Sequence, residues 1–165
     1  MTTVASHLRP IAPADTERLI ALRALADNAF RGDSPIAEVD VERTRRYLTQ
    51  PDAFGLVAET PDELAGFVLA MDGRLDDGAG DVIPGLCHIA AVFVAPAFWN
   101  RRIGAHLLDA LLSDARGRGH RRVQLWTQDY NEPALRLYRG RGFGAVGREK
   151  FDERGDRLEL FARDL

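Results

Sequence analysis

The stretch from His88 to Leu108 reads HIAAVFVAPAFWNRRIGAHLL, and a second stretch from Asn131 to Phe143 reads NEPALRLYRGRGF. In the first, an apolar strand runs into Pro96, then into a short basic loop and a helix with periodic apolar residues. Backbone N–H groups at a helix N-terminus lack partners and lie at the positive end of the helix dipole, so they bind phosphate groups. The first stretch therefore predicts a site for a phosphate-bearing cofactor, with a surface loop before an ordinary amphipathic helix as the alternative.

The second stretch offers polar groups at helical spacing. Asn131 is a favourable N-cap for the helix that contains Pro133, and Tyr138 lies seven residues further on, along the same helical face. A tyrosine hydroxyl there can donate a proton to a leaving thiolate. Taken alone, these residues also fit a plain N-cap and a core tyrosine. Together, the two stretches indicate group transfer from a nucleotide-like carrier.

Length and composition predict one soluble domain over residues 1–165. The chain has 45% hydrophobic and 28% charged residues, as ordinary globular proteins do. It contains no run of about 18 apolar residues and no secretory signal, so we expect a cytoplasmic protein without a membrane span. The lone Cys87 excludes an internal disulfide and a cysteine-cluster metal site, and the histidines lack ligand spacing, so we expect no metal.

Charge is distributed unevenly along the chain. Residues 1–85 carry 15 acidic and 8 basic side chains, a net charge of −7, whereas residues 86–165 carry 10 acidic and 14 basic ones, a net charge of +4. This asymmetry fits chance variation on solvated faces equally well as an anionic ligand on the C-terminal half and a cationic one near the N-terminal half. Because the whole chain is acidic, we expect no binding to nucleic acid.

Apolar periodicity and turn residues predict the order β-α-α-β-β-β-α-β-α-β-β, an α/β or α+β sheet covered by helices. Gly73 to Gly85, rich in Gly and Asp, is predicted to be a long loop. Ser34 before Pro35 is predicted to cap the second helix. The predicted strands are 7–11, 54–59, 64–71, 86–94, 122–127, 143–148 and 157–163, and the predicted helices are 16–30, 35–48, 103–115 and 132–139.

These residues resemble the GNAT superfamily of N-acetyltransferases. Val94-Ala95-Pro96 and Ile103-Gly104 match the end of the family's cofactor strand and its pyrophosphate loop. The more specific pattern N-x-x-A-x-x-L-Y-x-x-x-G-F is met by Asn131, Ala134, Leu137, Tyr138, Gly142 and Phe143. The resemblance implies a central, mostly antiparallel sheet of six to seven strands, splayed in the middle and flanked by about four helices.

The resemblance also implies acetyl-CoA as the co-substrate. In the family, free backbone groups of the splayed strand bind the pantetheine arm and polarise the thioester, and the loop holds the pyrophosphate. Carried over to this chain, the cofactor-binding residues are Val92, Phe93, Val94, Trp99, Asn100, Arg101, Arg102, Ile103, Gly104, Ala105, Asn131, Ala134 and Tyr138.

Two loop residues depart from the family pattern. Trp99 stands where the family has Arg or Gln, and Arg102 stands where its first loop Gly is expected. Backbone N–H groups survive these changes, since every residue but Pro supplies one, but glycine-like backbone angles are not guaranteed. The guanidinium of Arg102 is expected to pair with phosphate instead.

Two residues are candidates for proton transfer by this resemblance. Tyr138 is expected to protonate the CoA thiolate. His88 stands where many family members have a Glu, and its unperturbed pKa of about 6.5 suits a base that deprotonates the amine directly or through water. A structural His at the start of a strand is the alternative.

The acceptor is expected to be a primary amine of a small molecule. The resemblance places its site on the first two helices and on the 73–85 and 149–156 loops. Candidate residues there are acids that hold a cationic amine and aromatic residues that line the pocket, with solvated loop acids and core packing as the alternatives: Asp33, Glu38, Asp76, Asp77, Asp81, Phe30 and Trp126.

Other functions stay open at this point. Transfer to a protein N-terminus or lysine is a second enzymatic reading. A non-catalytic acyl-CoA-binding module is the alternative that is not an enzyme. Arg102 at the glycine position is the feature that supports it. Many family members form dimers, so a homodimer also stays open.

Overall fold

The computed structural model describes residues 6–32 and 38–165. The N-cap expected at Ser34 and the candidate Asp33 lie outside these residues. Among the described residues are seven strands, β1 His7–Pro10, β2 Phe54–Glu59, β3 Leu64–Arg74, β4 Val82–Val94, β5 Arg122–Gln128, β6 Gly144–Phe151 and β7 Arg157–Asp164. The helices are α1 Thr16–Arg31, α2 Glu38–Leu48, α3 Ile103–Gly117 and α4 Glu132–Gly140.

The strands form one sheet in the order β1-β2-β3-β4-β5-β7-β6. The pairs β1–β2, β2–β3, β5–β7 and β6–β7 are antiparallel, and β4–β5 is parallel. The register of β4 with β5 runs from Leu86 opposite Arg122 to Ile89 opposite Leu125, and β4 continues beyond its last pair to Val94. The mixed, mostly antiparallel fold expected from the sequence is confirmed.

The prediction of a long loop at 73–85 was wrong. Strand β3 continues to Arg74 and β4 begins at Val82, so the connection holds only one turn of 3₁₀ helix at Asp76–Gly78. Gly73 has a packing role inside β3, because a Cβ there would lie 2.4 Å from the Leu86 side chain. Composition suggested a loop because Gly serves both purposes.

The described residues divide into two compact units. The first contains 6–32, 38–71 and 91–111, and the second contains 72–90 and 112–165. In the first, the fully buried side chains come from both helices and strands: Leu19 of α1, Val57 of β2, Phe67 of β3, and Leu107 and Leu108 of α3. The apolar face predicted for α3 is buried, as its spacing of three and four residues requires.

Arg23 of α1 ties three elements of the first unit together. Its guanidinium lies 5.0 Å from the centroid of the Phe93 ring on β4 and donates a hydrogen bond of 2.5 Å to the Thr44 hydroxyl on α2. The Phe93 ring also stacks on Phe67 of β3, with centroids 5.8 Å apart. The end of β4 is therefore packed from both the helical side and the strand side.

The second unit is built around β5 and β7. Val123, Leu125, Leu160 and Phe161 are buried there. His120, after α3, accepts or donates a 2.8 Å hydrogen bond with the Asp72 carboxylate of β3.

Close backbone contact at Gly66 generates the first prediction. A Cβ at Gly66 would lie 2.8 Å from the Phe93 carbonyl oxygen and 3.2 Å from a Leu107 methyl group. Gly66→Ala should therefore force the β3 and β4 backbones apart and lower the free energy of unfolding by about 2 kcal/mol. The measurement is urea unfolding.

Gly117→Ala is the matched control. Nothing lies within 4 Å of a Cβ at Gly117, the last residue of α3. We expect that variant to be as stable as the parent or more stable by up to about 1 kcal/mol, since Ala favours a helix over Gly. Equal stability of the two variants would show that the contact at Gly66 is not tight.

Candidate active site

The end of β4 is anchored to its surroundings by two hydrogen bonds. The Ala95 N–H donates to the Ala65 carbonyl at 2.8 Å, and the Trp99 indole N–H donates to the Val94 carbonyl at 2.8 Å. One turn of 3₁₀ helix, Pro96–Phe98, lies between them. Trp99, which stands where an Arg or Gln was expected, thus uses its N–H within the loop and closes the loop onto the strand end.

Two non-glycine residues of this loop adopt left-handed backbone angles. Asn100 has a φ of 62° and Arg102 a φ of 63°. Arg102 therefore keeps the glycine-like conformation that the family pattern requires, at a cost of about 1 kcal/mol for a residue with a Cβ. Its carbonyl accepts the first hydrogen bond of α3, from His106 N–H at 3.0 Å.

The loop presents positive charge at the start of α3. Arg101 and Arg102 are exposed, and the Arg101 guanidinium lies 5.6 Å from the Phe98 ring centroid. Ile103 is buried, and Gly104 and Ala105 are half-buried in the first turn of the helix. Unpaired N–H groups, the dipole of a 15-residue helix and two guanidinium groups make this end suited to a diphosphate.

Asn131 and Tyr138 belong to the beginning and the end of α4. The Asn131 carbonyl oxygen accepts a hydrogen bond from Ala134 N–H at 3.3 Å and caps α4. Tyr138 is 7% exposed, and its ring lies 6.0 Å from that of Phe143. The chain reverses after α4 at Gly142, whose φ of 84° favours glycine.

Burial raises the pKa of Tyr138 to about 12. The hydroxyl consequently stays protonated at every pH where an enzyme works. It can donate a hydrogen bond or a proton, but it does not titrate near neutrality. This is the protonation state that the proposed acid requires.

His88 lies on β4 directly opposite Gln124 of β5, and their side chains meet at 3.3 Å between His88 Nδ1 and Gln124 Nε2. With the Gln124 amide as donor, Nδ1 is the acceptor and Nε2 carries the proton. Desolvation lowers the pKa of His88 to about 4, with Asp77 raising it and Lys150 lowering it. The premise of a base near pKa 6.5 therefore does not hold, although the imidazole is neutral at pH 7.

Three of the acceptor candidates cluster in the second unit. The Asp77 carboxylate accepts a 3.0 Å hydrogen bond from the Trp126 indole N–H and pairs with Lys150 Nζ at 2.5 Å. An open pocket of about 90 Å³ is lined in part by Arg74, Asp76, Asp77, Gln124, Trp126 and Arg148. Asp76, Asp77 and Trp126 thus come together as expected.

The other acceptor candidates lie elsewhere. Asp81 is exposed, and its backbone carbonyl accepts a hydrogen bond from Leu75 N–H. Phe30 and Glu38 are exposed on α1 and α2 of the first unit. Val92–Val94 and 99–105 also belong to the first unit, whereas His88, Asn131, Ala134 and Tyr138 belong to the second.

The sequence of this chain was compared with models of known protein families. The model of the acetyltransferase (GNAT) family matches residues 19–143, most of the chain. The protein belongs to the GNAT family of acetyltransferases.

Curated proteins and solved structures agree with this assignment. The spore coat polysaccharide biosynthesis protein SpsD of Bacillus subtilis is 30% identical over an alignment of 146 residues that covers 84% of this chain and 47% of that protein. Mycothiol acetyltransferase of Brachybacterium faecium is 31% identical over 137 residues, covering 82% of this chain and 39% of the relative. This GNAT chain therefore spans less than half the length of these curated relatives.

Among solved structures, PaiA N-acetyltransferase from Thermoplasma acidophilum in complex with coenzyme A has the same fold. Its TM-score is 0.70 at 16% identity, with 98% of this chain and 99% of that chain covered. GNAT proteins use acetyl-CoA, so the acetyl donor expected from the sequence is confirmed. In residues 6–32 and 38–165, no helix is both long and apolar enough to cross a membrane.

The residues present fit acetyl-CoA. The decisive observation is that Arg102 adopts the left-handed angle of a loop glycine, so the departure from the GNAT pattern leaves the backbone of the loop in the required form. The exposed Arg101 and Arg102 would hold the phosphates, with the N–H groups of the first turn of α3. Bound there, the cofactor supplies an activated acetyl group.

Sequence reasoning missed Gln124 and Lys150. Gln124 and Trp126 are two residues apart on β5 and share a sheet face, a signal that was available in the alternation of the strand. Lys150 is the only lysine of the chain, but its pairing with Asp77, 73 residues earlier, has no local signature.

The left-handed angle at Arg102 generates a prediction on stability. Arg102→Gly relieves the steric cost of the Cβ, whereas Arg102→Ala keeps that cost and removes the same guanidinium. We expect the Gly variant to be more stable than the Ala variant by about 1 kcal/mol. Thermal and urea unfolding measure this difference, and equal stability of the two variants would contradict the backbone assignment.

The low pKa of His88 generates a prediction on acid stability. The unfolded chain binds a proton at His88 near pH 6.5 and the folded one near pH 4, so His88 adds stability above pH 6.5 that is lost as the pH falls towards 4. His88→Asn keeps an acceptor for Gln124 and should abolish about 2 kcal/mol of the fall in unfolding free energy between about pH 7 and about pH 5.

Urea unfolding at a series of pH values measures the slope. His106→Asn, which removes an exposed imidazole from α3, is the control and should behave as the parent does. If His88→Asn left the dependence of unfolding free energy on pH unchanged, the His88 imidazole of the parent would be as well solvated in the folded protein as in the unfolded chain.

Proposed function

We propose that this GNAT protein transfers the acetyl group of acetyl-CoA to a primary amine of a small molecule by direct attack. The observation that carries the proposal is the loop after β4, where left-handed angles at Asn100 and Arg102 and two exposed arginines prepare the start of α3 for a diphosphate. The mycothiol acetyltransferases among its relatives support a small acceptor.

The proposed cofactor-binding residues lie in three segments of the chain. Backbone groups of Val92–Val94 hold the pantetheine arm and orient the thioester carbonyl. The Val94 carbonyl already accepts the Trp99 indole N–H, so its second lone pair is the one that remains for the ligand. Residues 99–105 hold the diphosphate. Asn131 and Ala134 act through the capped first turn of α4, which positions Tyr138.

In the proposed step, the lone pair of the neutral amine nitrogen forms a bond to the thioester carbon, the carbon–sulfur bond breaks, and the sulfur leaves with the electron pair. Tyr138 O–H donates a hydrogen bond to that sulfur. Because the pKa of Tyr138 is about 12 and that of a thiol about 8.5, a proton that passes from Tyr138 to the sulfur must be replaced, and the proton that the amine nitrogen loses replaces it through water.

The amine nitrogen loses its proton after the new bond has formed. At that stage the nitrogen is positively charged and acidic, so a weak base suffices. In this proposal Nδ1 of His88 releases the Gln124 amide and takes the proton, directly or through a water molecule. With a pKa of about 4, His88 cannot deprotonate a free ammonium ion, so the amine must enter in its neutral form. The rate is then expected to rise with pH as the acceptor amine loses its proton.

Thiol release with acetyl-CoA and a panel of primary amines, amino acids, aminoglycosides and peptides tests the proposal. Cys87 is fully buried and burial raises its pKa to about 12, so the protein itself contributes little thiol signal. Acetyl-CoA binding by calorimetry without turnover of any amine would favour the non-catalytic module. Preference for peptides over every small amine would favour a protein acetyltransferase.

Tyr138→Phe tests the assigned acid. We expect kcat to fall roughly 10- to 100-fold while the dissociation constant for acetyl-CoA stays within about twofold, because only the hydroxyl is lost. Tyr130→Phe is the control: it removes an exposed hydroxyl that donates to Asp156 at 3.0 Å. An unchanged kcat in the Tyr138 variant would remove this residue from the acid role.

A further inference from the structure

The pocket of the second unit contains an ammonium group that belongs to the protein. Lys150 Nζ lies 4.5 Å from the centroid of the Trp126 ring and 2.5 Å from Asp77 Oδ2. The other Asp77 oxygen accepts the Trp126 indole N–H at 3.0 Å. A carboxylate at the N–H edge of an indole ring, next to an ammonium group over the ring, is an arrangement that binds organic cations. We call these three residues the cation cage.

The backbone that carries Asp77 is strained. Asp76 and Asp77 have φ values of 54° and 53°, angles that residues with a Cβ seldom adopt. The short turn is held by Gly78 and Gly80 N–H groups, which both donate to the Leu75 carbonyl. This strain presents the Asp77 carboxylate to Trp126, and strain of this kind is concentrated at functional sites.

Lys150 is held loosely enough to exchange with a ligand. The side chains of Lys150 and Asp77 are 35% and 46% exposed, and ion pairs of such exposure are only weakly stabilising. An incoming ammonium that takes the place of Lys150 leaves the charge in the cage unchanged. Lys150 therefore resembles a tethered version of a ligand that the cage binds.

The group held in the cage cannot be the amine that reacts. A carboxylate and an indole face favour the protonated form of an amine, whereas attack on a thioester needs the neutral form. Gln124, which lines the same pocket, bonds His88, so a proton acceptor lies on the same sheet face as the cage. One amine reacts, and a second one is held.

We propose that the cation cage of Asp77, Trp126 and Lys150 is the specificity subsite for the acceptor, and that it selects aliphatic amines carrying a second ammonium group, which displaces Lys150. The inference rests on the proposed function for its reacting amine, and its binding part stands without it. Arg74 and Arg148 also line the pocket, so an acceptor with a carboxylate is the competing outcome of the test.

Three ligands with the same four-carbon chain separate these outcomes: 1,4-diaminobutane, n-butylamine and 4-aminobutanoate. Calorimetry in the presence of coenzyme A measures their binding to the unmodified protein. We expect 1,4-diaminobutane to bind at least about 10-fold more tightly than n-butylamine, because the single ammonium of n-butylamine occupies either the cage or the position of the reacting amine, whereas the diamine occupies both. Tighter binding of 4-aminobutanoate, or equal binding of all three, would overturn the proposal.

Variants at position 150 test the displacement. Lys150→Met removes the competing ammonium at nearly equal length and should tighten 1,4-diaminobutane binding about 10-fold. Lys150→Arg retains a competing cation and should bind 1,4-diaminobutane as the parent does. Asp77→Asn should weaken the binding of 1,4-diaminobutane. A Lys150→Met variant that changes only the melting temperature would show a purely structural ion pair.

Turnover separates the two proposals from each other. Where the cage is correct and acetyl transfer occurs, the KM for 1,4-diaminobutane follows its dissociation constant across the variants, and kcat changes little. Selective binding of 1,4-diaminobutane without thiol release from acetyl-CoA would retain the subsite and reject the proposed function. Thiol release with all amines at equal KM would retain the function and reject the subsite.

Discussion

The anchoring of the end of β4 is the constraint on which the loop after β4 and the start of α3 depend. A missing side chain at Gly66 lets the Phe93 carbonyl approach the β3 backbone, and Ala95 N–H then bonds Ala65. The strand end is thereby fixed before the chain turns. The Trp99 indole N–H binds the loop to the same strand end, and α3 begins at Ile103, directly after this loop. The position of the helix N-terminus, with its dipole, is thus set by backbone contacts in the sheet.

Local patterns in the sequence predicted most of the elements because their causes are local. The apolar spacing of α3 and the N-cap at Asn131 act over a few residues, and both are present in the structure. Gly73 and Gly85 misled the prediction, since a glycine in a strand and one in a loop look alike until the neighbour is known. The conformation of Arg102 was also beyond reach, because a loop residue adopts a left-handed angle only when tertiary contacts impose it.

Site residues that lie within one sequence motif could be predicted. Site residues that are brought together by pairing of strands across the sheet could not. Tyr138 follows from spacing along one helix. The bond between His88 and Gln124 depends on the register of two parallel strands, and the contact of Asp77 with Lys150 joins residues far apart in sequence. The same long-range burial accounts for the low pKa of His88, so the chemistry inferred from its ordinary value did not carry over to the fold.

The single lysine has a practical consequence. Reagents that attack primary amines, among them succinimidyl esters, aldehyde crosslinkers and amine-coupling sensor surfaces, find in this chain only the α-amino group and the Nζ of Lys150. Immobilising or labelling the protein in this way would attach the reagent beside Trp126 and neutralise the charge that faces Asp77. Ligand measurements on such preparations would describe an altered pocket, and attachment through a terminal tag avoids it.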